Sequence, residues 1–250
     1  MYKLETKAGD LLKSKLIDGV GGVVHGFGVR GKTHVEYLDA LGQKDRFIVE
    51  TNQIHGNTVH YLMWPKKGPV LEGDAFITDR PGLVCFIRTA DCVPLLIVEK
   101  TGRAVAAIHA GWRGTVEDVV GVVLRAMQET FGTHPQDCVA AIGPAICGRC
   151  YEVGGEVIAK LSKLDIGDCW KLGDGHVDLK KANRSLLIRG GISAENIDVS
   201  ESCTFCDDAF NSYRRDRFED ERQWSFVMIT GSSGARMSYS TNMPAGGGAR

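Results

Sequence analysis

The sequence predicts an α+β fold built around mixed β-sheet, and three observations predict it. Strand-like apolar runs follow one another in groups, amphipathic helical spacings are fewer, and no repeat or linker divides the chain. The 250 residues are 43% hydrophobic, enough for one domain with a substantial core. A single catalytic domain is expected over residues 1–230. Residues 231–250 are small, polar and glycine-rich and are expected to form a flexible tail.

Each element has a local reason. Residues 19–31 hold a short valine-rich strand followed by a glycine-rich loop. That loop has neither GxGxxG before a helix nor GxxxxGK[ST], so it carries no phosphate signature. RFIVE (46–50) and TVHYLM (58–63) have strand spacing, and KKGP breaks the second. Residues 75–78 form a short strand that ends at Asp79-Arg80-Pro81-Gly82, a turn. Apolar runs at 83–88 and 93–98 flank TADC, and 104–108 is a buried strand. Thr115 is the expected N-cap of a helix over 116–130, whose apolar face is Val119, Val120, Val123, Leu124 and Met127. Strands at 139–142, 197–199 and 225–230 and helices at 152–164 and 178–190 complete the set.

Composition narrows the function. The formal net charge is −1, so no global basic field points to nucleic acid or an anionic membrane. No apolar run approaches the ~20 residues of a membrane span. The first residues lack a signal-peptide pattern, and a cytoplasmic location is expected. The eight cysteines are then expected to be thiols or ligands. Cys147/Cys150 and Cys203/Cys206 have CxxC spacing, but the pairs lie much further apart than the ~15–20 residues between zinc-ribbon knuckles. Separate, partly buried thiols are the expectation, ahead of a second, structural zinc.

The chemistry concentrates between Thr89 and Thr115. Cys92 lies in TADC between two apolar runs, as at a hairpin tip. His109 follows a strand and precedes Gly-Trp-Arg-Gly, which opens a helix, with Arg113 as a cationic fork for phosphate or carboxylate. His55 stands upstream in NQIHGN with Gln53, whose amide can bond backbone or substrate. If His55, Cys92 and His109 converge, they give zinc three ligands and leave a position for water or substrate. If no metal binds, Cys92 and His109 form a nucleophile–base pair. A thiolate also admits copper. Asp91 could orient a histidine, move a proton or bind a hydroxyl. The run Ser212-Tyr213-Arg214-Arg215-Asp216 reads as a turn held by Arg–Asp pairs or as a clamp for an anion. The other five histidines are expected to be structural or solvent-facing.

NQIHGN, GDAFITDRPG, RTADCVPLLI, AAIHAGWRGT, IGPAICGRCYEVG, VDLKKANRSLL and CTFCDDAFNSYRRD occur in this order over most of the chain. With these blocks the chain resembles the YfiH/DUF152 family, also called the laccase-like multicopper polyphenol oxidase or peptidoglycan editing factor family. The resemblance implies a layered α/β sandwich with mixed sheets and outer helices. It also implies a mononuclear zinc held by His55, Cys92 and His109, and purine nucleoside phosphorylase activity. Members are also described as adenosine deaminases and methylthioadenosine phosphorylases. The family's F-S-x-R reads FGVR here, so Gly28 replaces a serine while Arg30 is kept.

The expected enzyme is therefore a zinc-dependent purine nucleoside phosphorylase with purine nucleoside and phosphate as its small-molecule partners. Asp91 and Arg113 are the expected catalytic residues, and Arg30, Gln53, Tyr151 and Arg214 the expected substrate contacts. The alternatives are a Cys92-based amidase acting on cell-wall precursors, a copper-dependent phenol oxidase, and a non-enzymatic binding module. Seven scattered histidines argue against multicopper chemistry. Oligomeric state is left open by the sequence.

Overall fold

Two six-stranded sheets pack face to face, with helices on both outer faces, in a computed structural model that describes residues 1–43, 46–49, 51–63, 70–218 and 220–230. Glu50, the KKGP break and the expected tail at 231–250 lie outside the described residues. In chain order the elements begin with β1 (Tyr2–Thr6), β2 (Gly9–Lys13), α1 (Lys15–Asp18), β3 (Val23–Gly28), α2 (His34–Ala40), β4 (Phe47–Val49) and β5 (Thr51–Asn52). Next come β6 (Val59–Tyr61), β7 (Leu71–Glu72), β8 (Ala75–Thr78), β9 (Leu83–Thr89), β10 (Val93–Glu99), β11 (Val105–Ala110), α3 (Trp112–Val116) and α4 (Val119–Phe131). The chain continues with β12 (Cys138–Ile142), α5 (Gly155–Leu161), β13 (Lys171–Gly173), β14 (His176–Val177), α6 (Leu179–Arg189), β15 (Ile197–Val199), α7 (Tyr213–Asp216) and β16 (Gln223–Ile229).

The first sheet has the order β1-β2-β3-β16-β9-β4 and the second β15-β12-β10-β11-β8-β6. Both are mixed. Parallel pairs β4/β9, β12/β15 and β6/β8 stand among antiparallel ones. Alternation along β9 shows the layering. Cys85 and Ile87 join the core between the sheets, while Val84 and Phe86 join Tyr37 and Leu38 of α2 on the outer face. Leu96 and Val98 of β10 likewise face the first sheet, and Leu95 and Ile97 face α4 and α6. Strands buried on both sides read as continuous apolar runs, which is why these were visible in the sequence. The layered α+β sandwich with outer helices is the observed fold.

Local differences have local causes. The helix expected from a Thr115 cap begins earlier, at Trp112, and breaks at Glu117-Asp118. Asp118 takes a left-handed conformation (φ 54°) and caps α4 by accepting from the Gly121 N–H, while Thr115 donates its hydroxyl to the Gly111 carbonyl. The helix expected over 152–164 is shorter, Gly155–Leu161, because residues 151–153 instead bond to the β13–β14 hairpin region. The β1–β2 hairpin and α2, with its Thr33/Glu36 capping box, were not anticipated.

Candidate functional site

TADC is not a hairpin tip. β9 belongs to the first sheet and β10 to the second, so residues 90–92 carry the chain from one sheet to the other. The crossing requires a left-handed residue at Asp91 (φ 84°), which aspartate tolerates better than most. Its backbone carbonyl accepts from the Ile146 N–H (3.1 Å), and its carboxylate oxygens accept from the Thr204 hydroxyl and the Arg214 N–H, both at 2.6 Å. The turn thus anchored sets Cys92 at the start of β10. His109 is a strand residue, paired with Pro94 of β10, because β11 runs on to Ala110. His55 follows β5 in a loop and also has a left-handed backbone (φ 62°). One donor atom from each of His55, Cys92 and His109 lies within 4.8 Å of the other two. The two imidazoles meet edge to face with centroids 4.8 Å apart.

A fourth residue, Asp74, organises the three. It is fully buried at the entrance to β8. Oδ1 accepts from the His55 N–H (3.0 Å) and meets His109 Nδ1 (2.7 Å), and Oδ2 accepts from the Gly56 N–H (2.7 Å). A carboxylate at Nδ1 favours the tautomer protonated there and leaves Nε2 as the ligand atom, the usual outer-shell support of a metal-binding histidine. Burial alone would raise the Asp74 pKa, but His109 and these N–H groups hold it below the usual carboxylate range. Burial also opposes the charged forms of Cys92 and His109, and their mutual attraction prevails. With help from His55, the thiol is lowered to about 6, and with help from Asp74 the imidazole is raised to about 9. Without a metal, the pair is a thiolate–imidazolium. No feature of GDAFITDRPG distinguishes Asp74 from a turn aspartate.

Two glycines of HAGWRG make the convergence possible. A Cβ at Gly111 would stand 3.1 Å from Cys92 Sγ and 3.2 Å from His55 Cδ2. One at Gly114 would stand 2.7 Å from the Gly56 carbonyl oxygen, so the start of α3 can close on the His55 loop only without side chains there. At Gly28 the space of a Cβ is taken by Tyr37 (2.6 Å).

A cavity of about 570 Å³ opens over the three donors. Gln53 lines it and is fixed by two bonds to the Arg88 backbone, both 2.8 Å. The cavity's cations are Arg88 and Arg222, with Tyr213 as its aromatic and Asp220 as its carboxylate; of these only Tyr213, in the run Ser212–Asp216, stands out in the sequence. Their signal as a group was weak because Arg88 comes from β9, Tyr213 from the start of α7, and Asp220 and Arg222 from the loop after it. The other expected residues stand outside the lining. Arg113 is exposed and its guanidinium lies over the Trp112 ring at 4.5 Å. Arg30 pairs with Glu221 (3.1 Å) and Asp216 (3.4 Å). Arg214 lies over the Tyr151 ring and bonds the Glu152 carbonyl oxygen. Burial raises the Tyr151 pKa to about 12, and Cys92, Arg214 and Arg113 are all near enough to act on it. Arg215 holds Asp216 and four backbone carbonyls, the turn-holding reading of that run.

A family model described as multi-copper polyphenol oxidoreductase laccase matches residues 32–230. The chain belongs to that family. Purine nucleoside phosphorylase of Deinococcus radiodurans is 38% identical over 191 residues, 75% of this chain and 72% of the relative. A protein named adenosine deaminase RL5, from an unknown prokaryotic organism, is 40% identical over 153 residues, 58% of each chain. Among solved structures, YlmD from Geobacillus stearothermophilus superposes with a TM-score of 0.77 at 27% identity, covering 84% of this chain and 93% of that one. YfiH from Bacillus licheniformis gives 0.75 at 29% identity, covering 83% and 92%. The fold is therefore that of the YfiH and YlmD proteins. Relatives carry enzyme names, and the His/Cys group is a possible metal site. Among the described residues, no helix is long and apolar enough to cross a membrane.

Proposed function

We propose that this protein is a zinc-dependent purine nucleoside phosphorylase. The observation that carries the reading is the position of His55, Cys92 and His109, grouped within 4.8 Å on the wall of a cavity that also presents Arg88 and Arg222. The donor set fits zinc: one thiol already disposed to ionise and two imidazoles, one oriented by a buried carboxylate. Bound there, zinc would supply Lewis-acid polarisation of an oxygen of substrate or phosphate.

In phosphorolysis a phosphate oxygen bonds to the anomeric carbon as the bond to the purine nitrogen breaks. The departing purine carries the electron pair and takes up a proton. Arg88 and Arg222 would hold the phosphate dianion by charge-assisted hydrogen bonds, and the Gln53 clamp fixes the backbone from which Arg88 projects. Tyr213 gives the base a ring to pack on. Asp91, with both carboxylate oxygens engaged, would act by holding the turn before Cys92. Arg113, Tyr151 and Arg214 would close the wall behind that turn, and Arg30 would brace Asp216.

The test is phosphate-dependent release of hypoxanthine from inosine, lost in His109→Ala and on chelation and restored to the wild type by zinc. Full activity of the folded variant would refute the reading. The thiolate–imidazolium pair supports a second reading, a Cys92-based hydrolase. That enzyme would survive chelation and be destroyed by alkylation of Cys92. The deaminase name of one relative makes ammonia release from adenosine the companion assay.

A further inference from the structure

The two CxxC segments, remote in sequence, come together in the fold. Cys147 and Cys150 follow β12, and Cys203 and Cys206 follow β15, its parallel neighbour. An isolated parallel bridge between Ala145 and Cys203 continues that pairing past the strand ends, so both cysteine turns leave the same end of the sheet. The four sulfurs lie within 4.8 Å of one another, with Cys147–Cys150 at 3.5 Å and Cys150–Cys206 at 3.3 Å. We propose that Cys147, Cys150, Cys203 and Cys206 bind a second zinc ion, a closed structural site separate from the cavity.

The spacing favours a single tetrahedral ion over a cluster. Tetrahedral zinc with Zn–S of about 2.3 Å places its sulfurs about 3.8 Å apart, and the four thiols are already near that separation. An iron–sulfur cluster spreads four thiolates over two or more irons and needs a wider cage. All four positions are filled by cysteine, the pattern of a structural site, whereas the cavity site has three protein donors. The surroundings suit the excess negative charge of four thiolates. The Cys147 N–H donates to Cys203 Sγ at 3.1 Å. Lys180 is 6% exposed and sends its ammonium to the carbonyls of Ser200 (2.8 Å) and Ser202 (3.0 Å), beside Cys203.

The site also has a consequence for the cavity. The Ile146 N–H, one residue before the first turn, and the Thr204 hydroxyl, inside the second, both bond Asp91. A metal that joins the two turns would fix both supports of the residue preceding Cys92.

The test is metal content and zinc-edge X-ray absorption on protein purified under reducing conditions without added metal. The wild type is expected to hold two zinc ions per chain, with an averaged shell of two to three sulfurs. His55→Ala/His109→Ala is expected to keep one zinc with four sulfurs at about 2.3 Å, and adding Cys150→Ser/Cys206→Ser to remove it. One zinc per wild-type chain with a single sulfur, iron in place of zinc, or disulfides joining these cysteines would overturn the proposal. None of these outcomes depends on the substrate, so the proposed phosphorylase activity can fail while the second zinc stands.

Discussion

Asp74→Asn is the most informative single change, because it alters the group that supports both histidines while keeping its shape. The carboxylate accepts three N–H groups at 2.7–3.0 Å in a fully buried position. An asparagine oriented to keep Oδ1 as acceptor retains the contacts to His55 and His109 but turns an NH2 toward the Gly56 N–H. Oriented the other way, it faces two donors instead of one. The first orientation is therefore preferred. It forfeits one charge-assisted bond and leaves a buried donor unpaired, about 3 kcal/mol of stability in all. The His109 tautomer survives, but its Nε2 loses the basicity lent by the anion. Loss of such an outer-shell partner typically weakens metal affinity by about 10- to 100-fold, or about 1.4–2.7 kcal/mol. Urea unfolding of the metal-free proteins reads the first quantity, and competition with a zinc chelator the second. A folded Asp74→Asn protein that binds zinc within twofold of the wild type would refute this account of Asp74.

Four further outcomes follow from the same geometry. In metal-free protein, alkylation of Cys92, followed by peptide mass mapping, should titrate with a midpoint at about 6, and His109→Ala should move that midpoint upward. Unfolding returns a proton to sulfur as imidazole loses one. The lowered thiol contributes stability above its ordinary pKa and loses it as pH falls through about 6, whereas the raised imidazole contributes below its ordinary pKa and loses it as pH rises through about 9. These slopes oppose, so the pair should leave urea stability nearly flat between about pH 6.5 and 9, and a steep slope assigned to it by His109→Gln would contradict the coupling. Gly111→Ala, whose backbone (φ −73°) accepts alanine, should lower zinc affinity about tenfold through contact with Cys92 and His55 while changing thermal stability little; an unchanged affinity would show that the site relaxes freely. Arg222→Ala should raise the KM for phosphate by about 10- to 100-fold, the cost of one charge-assisted contact, and an unchanged KM in steady-state assays with inosine would remove Arg222 from phosphate binding.

What the sequence exposes and what it hides have physical reasons. Cys92 and His109 were legible because a thiol and an imidazole beside buried apolar runs are costly unless they serve something, whereas the exposed His55 was joined to them by the family's motifs. The central strands β9, β10, β11, β12 and β16 were legible because burial on both faces leaves an uninterrupted apolar signature. Strand partnership was not. Nothing local distinguishes a hairpin from a crossing between sheets, and the left-handed Asp91 that makes the crossing looks like any turn aspartate. Asp74 was hidden for the same reason. Its role depends on β8 lying beside β11, and that pairing is non-local. The four-cysteine group was discounted on spacing along the chain, a measure that fails when parallel strands bring distant turns to one sheet end. The substrate-side arginines show the converse. Arg113 adjoins His109 in sequence, yet its guanidinium lies over Trp112, whereas Arg88 and Arg222 line the cavity.

The family's description names copper, and two histidines with one cysteine are also the donor set of mononuclear blue-copper sites. The ligand set is shared by both metals, and the surroundings support the zinc reading proposed above. A blue-copper centre tunes its thiolate with a hydrophobic shell and exchanges only electrons. Here Cys92 and His109 open onto a cavity that also presents Asn52, Gln53, Arg88, Asp220 and Arg222, a lining suited to a hydrated, anionic reactant. A multicopper oxidase further needs a second group of histidines. Among the described residues, the other metal-competent group is made only of cysteine. His25 is instead committed to the Ser14 N–H, and His60 to the Glu72 carbonyl. The proposed zinc ions at the two sites would account for both groups without asking any histidine to leave its partner. Copper loading tests the point: a protein that oxidises phenols only when copper replaces zinc, while phosphorolysis persists with zinc, would show that the oxidase chemistry belongs to the ligand set and the phosphorylase chemistry to the cavity around it.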